Sequence, residues 1–136
     1  MVLELSRLHN LLLGKSDPIQ IGDLPSLVCD ALKWRLPHVY LSRDTFKHVL
    51  RKHPDVTLVE FLHLPFAITK GLIVEQLKRP NSIAACYTNA DDGNQYVVAM
   101  KSAEKTCEIW VCTYHRLAHR QARSLLKSGK ILKRHD

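Results

Sequence analysis

Apolar residues recur at helical spacing through the first half of the chain and crowd into short dense runs through the second. Over residues 2–13, Leu3, Leu5, Leu8 and Leu12 fall at roughly helical intervals, and Gly14 is a stop signal. Residues 17–23 read as a loop. Pro25 or Ser26 opens a helix to about Arg35, with Leu27, Val28, Ala31, Leu32 and Trp34 as its apolar surface. Pro37 ends it, and "HVYLS" at 38–42 has the composition of a short strand. Ser42 or Asp44 then caps a helix over 43–53, whose stripe is Phe46, Val49 and Leu50 and whose end is set by Pro54. "VTLVEFLHL" at 56–64 adds one or two helical turns before Pro65.

The pattern then changes. "FAITKGLIVEQL" (66–77), "SIAACYTN" (82–89), "QYVVAMK" (95–101) and "CEIWVCTY" (107–114) are rich in Ile, Val, Tyr and Trp. The turn signals "KRPN", "ADDGN" and "SAEK" separate them, so they predict an antiparallel meander. "HRLAHRQARSLLK" (115–127) reads as a helix closed by Gly129, and "KILKR" as an edge strand. The expected class is α+β: N-terminal helices packed on a four- to five-stranded antiparallel sheet with a C-terminal helix. One domain spans 1–136, with 1–36 as an N-terminal helical extension and 37–134 as the core.

Composition narrows the partners more than the fold. The 136 residues are 46% apolar and 24% charged, enough to bury a core without disulfides or a structural metal. The net charge of +7 favours anionic partners: nucleic acid, an anionic membrane or an acidic protein. Cys29, Cys86, Cys107 and Cys112 form no C-x-x-C pair, and most read as small buried hydrophobes in a reduced, cytoplasmic setting. The start, "MVLELSRLHNLLLG", places Glu4 and Arg7 among its leucines, so neither a signal peptide nor a membrane span is expected. "GKSDP" at 14–18 lacks the upstream glycine of a phosphate loop. His115 and His119 lie four apart with no local carboxylate, so no metal site and no cofactor is expected.

The charge gathers in "FKHVLRKHPDV". His48 and Lys52, four apart, share one helix face, while His53 lies four after Val49 on the border of the apolar stripe. Basic residues at a helix C-terminus complement the helix dipole, which explains the patch without chemistry. A border histidine beside cations is also what RNA cleavage needs: a base for the ribose 2′-hydroxyl, an acid for the leaving 5′-oxygen, and cations for the phosphorane. In "CEIWVCTYHR", strict alternation sets Cys107, Ile109, Val111, Thr113 and His115 on one face and Glu108, Trp110, Cys112 and Tyr114 on the other. Arg116 follows at the expected start of the last helix, where backbone N–H groups attract an anion. His48, Arg51, Lys70, Lys101 and Lys130 are candidates for further phosphate contacts. Lys70 lies within an apolar run, and antiparallel pairing sets Lys101 near the opposite end of the sheet from Thr113. No pair of carboxylates is placed for catalysis.

"VYLS…TFKHVLRKHPDV" and "IWVCTYHRLAHRQARSLLKSGKIL" together resemble the phage-associated nuclease-like domains of the barnase, EndoU, colicin-type and RelE superfamily, over about residues 37–134. The resemblance implies a small metal-independent ribonuclease, deployed as a toxin or phage-linked effector, with RNA as partner and a neutralising acidic protein as a second. It implies His53 and Lys52 from the helix, and Thr113 with His115 or Arg116 from the last strand, as catalytic residues. No glutamate stands where barnase-like members use a carboxylate base. The alternatives are a non-catalytic nucleic-acid-binding module and a basic domain that meets an acidic partner.

Overall fold

The protein is described by a computed structural model covering residues 2–16, 18–103 and 107–136. Part of "GKSDP" and part of the turn expected at 102–105 lie outside the described residues. In chain order the elements are α1 (Leu5–Leu12), β1 (Ile19–Asp23), α2 (Ser26–Leu32), β2 (His38–Leu41), α3 (Arg43–Lys52), a 3-10 turn (Val59–His63), α4 (Leu64–Lys70), β3 (Leu72–Gln76), β4 (Ser82–Thr88), β5 (Gln95–Ser102), β6 (Ile109–Arg116), α5 (His119–Ser128) and β7 (Gly129–Lys133).

The class is α+β, but the sheet is larger than expected and not wholly antiparallel. It has seven strands in the order β1-β2-β6-β5-β4-β3-β7. The run from β3 to β6 is the antiparallel meander that the four apolar segments indicate. β7 adds to β3 as an edge strand. Two further strands lie at the other side: β2, the short strand expected at 38–42, joins the sheet by pairing with β6 in parallel, and β1 pairs with β2. "IQIGD" reads as a loop because Pro18, Gly22 and Pro25 crowd around it. A register shift between Gln20 and Gly22 lets it pair nonetheless, with Ile19 and Ile21 buried. The first 36 residues therefore give a strand to the sheet and Leu8, Leu11 and Val28 to the core.

The main core lies between one face of the sheet and helices α1 to α4. α4 touches β1 at one margin and β4 and β5 further across, and α2 touches β7, so the sheet curls around the core. On the opposite face α5 covers a smaller cluster: Leu125 and nearby Leu117 pack on Leu72, Val74, Ala84, Cys86 and Val97. Cys29 and Cys86 are buried, Cys112 is exposed, and all four thiols are free. Among the described residues no helix is long and apolar enough to cross a membrane.

The stretch 66–77 is one apolar run in sequence but two elements in space. Helix α4 crosses Pro65 and ends at Lys70, and β3 begins two residues later. Lys70 is therefore the exposed last residue of a helix and not part of a strand. Gly71 makes the direct switch possible, because a Cβ there would stand 2.5 Å from the Ala67 carbonyl oxygen and 2.7 Å from that of Cys86. Both obstacles are backbone and cannot rotate away. Gly71→Ala is expected to lower stability by about 2 kcal/mol, measured by urea denaturation; an unchanged midpoint would show that α4 and β3 can separate freely.

Candidate active site

The site begins where β2 stops. β2 and β6 pair only through Val39–Ile109 and Tyr40–Trp110. The chain then turns into α3, whose N-terminus is held by the Ser42 hydroxyl accepting from Thr45 N–H at 3.2 Å. Because the two strands run in parallel, α3 continues beside the second half of β6 and packs against it. Phe46 and Val49 anchor the helix in the main core, and Phe46 meets Phe61 edge-on at 4.7 Å between ring centres. At the C-cap, His53 N–H bonds the Val49 carbonyl at 2.8 Å, and Pro54 stops further winding. The helix length thus sets His53 at the level of the end of β6.

β6 departs from strict alternation. Thr113 pairs with Ala99 and Val111 with Met100, so Cys112 is an extra residue, a β-bulge. The bulge exchanges faces: Ile109 and Val111 point to the main core, and beyond it Tyr114 and Arg116 do so instead. Thr113 and His115 share the other face with Trp110. The uniform grouping expected from alternation, with Thr113 beside Val111 and Tyr114 beside Trp110, is corrected by this one residue.

The two ends meet. His53 and His115 stack with ring centres 4.8 Å apart and planes 24° from parallel. Around them lies a cleft of about 320 Å³, bordered by His48, Lys52, Thr113, Arg116 and, from the first turn of α5, Gln121. His115 Nδ1–H donates to the Arg116 carbonyl at 2.8 Å, since that oxygen can only accept. Nε2 is therefore the nitrogen left for chemistry. Burial disfavours the charged form of His53, and neighbouring His115, Lys52 and His48 add to this against a smaller opposing pull from Asp55; the His53 pKa lies below its ordinary 6.5.

Arg116 lines the cleft but its guanidinium is committed. Nε and Nη2 each donate to Glu60, at 2.9 Å. Tyr96 hydroxyl donates to the same carboxylate at 2.7 Å, and Thr57 N–H at 3.1 Å. Tyr114 hydroxyl meanwhile donates to the Glu60 backbone carbonyl at 2.8 Å. Arg116 is also the last residue of β6, and α5 opens only at His119, so Arg116 is no part of a helix N-terminus. Burial alone would raise the Glu60 pKa, but hydrogen bonds from Arg116, Tyr96 and Thr57, with the Arg116 charge, outweigh it and hold it at about 2.

The remaining candidates scatter. Arg51 borders a shallower hollow on the outer side of α3, together with Lys47 and His48. Lys101 pairs with Trp110, at the far end of β6 from His115. Lys70 lies over Phe66, 5.6 Å from its ring centre. Lys130, on β7, is four strands from β6. Among the described residues Lys52 carries no ion pair. Glu60 and Gln121 escape a reading by motif. Glu60 is signalled only as the single charge in "VTLVEFLHLP", and Gln121 as the residue three past Ala118, whose N–H its side chain caps at 3.1 Å.

Glu60 makes stability depend on acid. Its folded pKa is depressed from 4.5 to about 2, so the ionised form stabilises the fold above pH 4.5 and this is lost as pH falls toward 2. The linkage amounts to about 3 kcal/mol for this nearly buried group. Glu60→Gln is expected to cost about 3 kcal/mol at pH 7 and to flatten that part of the acid limb, measured by denaturation across pH. A variant as stable as wild type at pH 7 would remove the ion pair from the account.

No family model, curated protein or solved structure matches this chain.

Proposed function

We propose that the protein is an endoribonuclease that cleaves RNA without a metal, by attack of a ribose 2′-hydroxyl on the adjacent phosphate. The observation that carries the reading is the meeting of two imidazoles, Lys52 and Thr113 in one cleft on a chain of net charge +7. Among the described residues no group of three or more His, Cys, Asp or Glu side chains is placed to hold a metal ion. In the proposed reaction the chemistry comes from proton transfer and fixed positive charge.

His53 suits the base. Its lowered pKa favours the neutral imidazole, in which a ring nitrogen can take the 2′-hydroxyl proton. The 2′-oxygen attacks phosphorus, the bond to the 5′-oxygen breaks, and that oxygen takes a proton from the Nε2–H of protonated His115. The products are a 2′,3′-cyclic phosphate and a 5′-hydroxyl end. Lys52 and the Thr113 hydroxyl meet the phosphorane oxygens. Arg116, neutralised by Glu60, positions β6 and is not a free cation for the phosphate.

One observation favours a second reading. Rings 4.8 Å apart leave no room for a phosphate between them, whereas an in-line acid and base stand on opposite sides of phosphorus. A site that binds the phosphate without cleaving it, on a nucleic-acid-binding module, fits the stacked arrangement.

RNA incubated with EDTA distinguishes the two. Wild type is expected to yield cyclic phosphate ends, and His53→Ala and His115→Ala to lose about 100-fold or more in kcat/KM. Salt-sensitive binding with no product from wild type would establish the binding module instead. For kcat/KM against pH, the acid limb is expected to have its midpoint below 6.5, because the base must be neutral to act and its pKa is lowered. A midpoint above 6.5 would remove His53 from that role.

A further inference from the structure

The face of β6 that carries Thr113 and His115 also carries Trp110, and beside Trp110, on β2, stands Tyr40. Their ring centres are 5.6 Å apart and the planes 40° from parallel. Both side chains are half-buried, and neither belongs to the main core or to the cluster under α5. Trp34, the second tryptophan, does pack against the main core. Helix α5 covers the β3–β5 side of this face through Leu125, and Tyr40 and Trp110 lie outside the cluster it covers. Two adjoining, half-exposed aromatic rings that serve neither core require another explanation.

Charge around the pair is asymmetric. On the β5 side, exposed Lys101 pairs with Trp110 in register, and Arg79 and Lys101 both lie within electrostatic reach of the Cys112 thiol at the bulge. On the β1 side stands a carboxylate, Asp23, which accepts from Gln20 at 2.7 Å and bonds His38 at 2.8 Å. A polyanion crossing the aromatic pair would keep its backbone toward Lys101 and Arg79 and away from Asp23.

We infer that Tyr40 and Trp110 form a stacking platform for the bases of an unpaired RNA strand, which runs along β6 into the His53–His115 cleft. Every base offers a flat π-face, so such a platform grips single-stranded nucleic acid with little regard to sequence. Four residues of strand, the bulged Cys112 among them, lie between Trp110 and His115, a span of roughly 13 Å. The substrate class that follows is single-stranded RNA extending beyond the nucleotides at the cleft; bases paired in a duplex cannot reach the rings. The inference rests on the proposed function for the fate of the strand, and its binding claim stands or falls separately.

The experiment measures binding of a labelled, short single-stranded oligoribonucleotide to His53→Ala protein, so that nothing is cut. Adding Trp110→Ala or Tyr40→Ala is expected to raise Kd by between about 5- and 100-fold, with Trp110→Phe recovering most of the loss. The same strand in a duplex is expected to bind more weakly than alone and to be indifferent to both substitutions. Thermal unfolding checks that each variant is folded. If an alanine variant does not fold, Trp34→Phe protein, in which Trp110 is the remaining tryptophan, should lose fluorescence with the single strand and keep it with the duplex. Folded alanine variants with unchanged Kd, equal affinity for single strand and duplex, or unquenched Trp110 would overturn the platform. If Trp110→Ala weakens binding while wild type cuts no RNA, the platform stands and the ribonuclease reading falls. If wild type cuts and Trp110→Ala leaves KM unchanged, the reverse holds.

Discussion

A carboxylate held inside the protein by an arginine and a tyrosine fixes the relation between the helical half of the chain and the sheet. Glu60 sits in the short turn between α3 and α4, and its partners Arg116 and Tyr96 sit on neighbouring strands. A buried carboxylate is costly unless its lone pairs are satisfied, and here they are, with the Thr57 N–H as a further donor. Among the described residues no buried side-chain polar atom is without a partner. Phe61, the next residue, wedges between Phe46 of α3 and Tyr114 of β6, at 4.7 and 5.1 Å between ring centres. The ion pair and the aromatic wedge together hold the end of α3 against the end of β6.

That junction creates the cleft. β2 gives up its pairing with β6 after two residues, and α3 takes over the edge it leaves. A single extra residue, Cys112, then turns Thr113 and His115 out of the main core and Arg116 into contact with Glu60. Without the bulge, His115 would share the face of Val111, and Arg116 would point away from its carboxylate. The bulge therefore aims two groups at once: a structural cation inward and a titratable ring toward His53. Burial at the junction depresses the His53 pKa, and the closeness of that ring and of Lys52 adds to it, so the feature that assembles the site also tunes it.

Much of this was legible in the sequence, and the failures have physical causes. The helix with Phe46, Val49 and the Ser42 cap is local information, carried by spacing and a capping residue. So is the placing of His53 at the border of the apolar stripe. The meander was legible because each strand is a dense apolar run between turn residues. β1 was not, since Gly22 and the prolines around it carry loop chemistry, and only its pairing with β2 makes a strand of it. The bulge was invisible because alternation assumes a regular pleat, which sets Thr113 and His115 beside Val111 and Tyr114 beside Trp110. Glu60 could be noticed as a lone charge among apolar residues, but its partner lies 56 residues away on a strand whose register had not been fixed.

In the proposed function His53 and His115, stacked at the junction, act as one phosphate-binding unit. NMR of the histidine imidazoles during titration with an RNA strand whose reactive 2′-hydroxyl is replaced by hydrogen tests this most directly. The account predicts that the His53 and His115 resonances move together over the same concentration range, while those of His38 and His63, which are engaged elsewhere with Asp23 and Asn89, stay in place. Unmoved His53 and His115 signals under conditions where the strand is bound would contradict it.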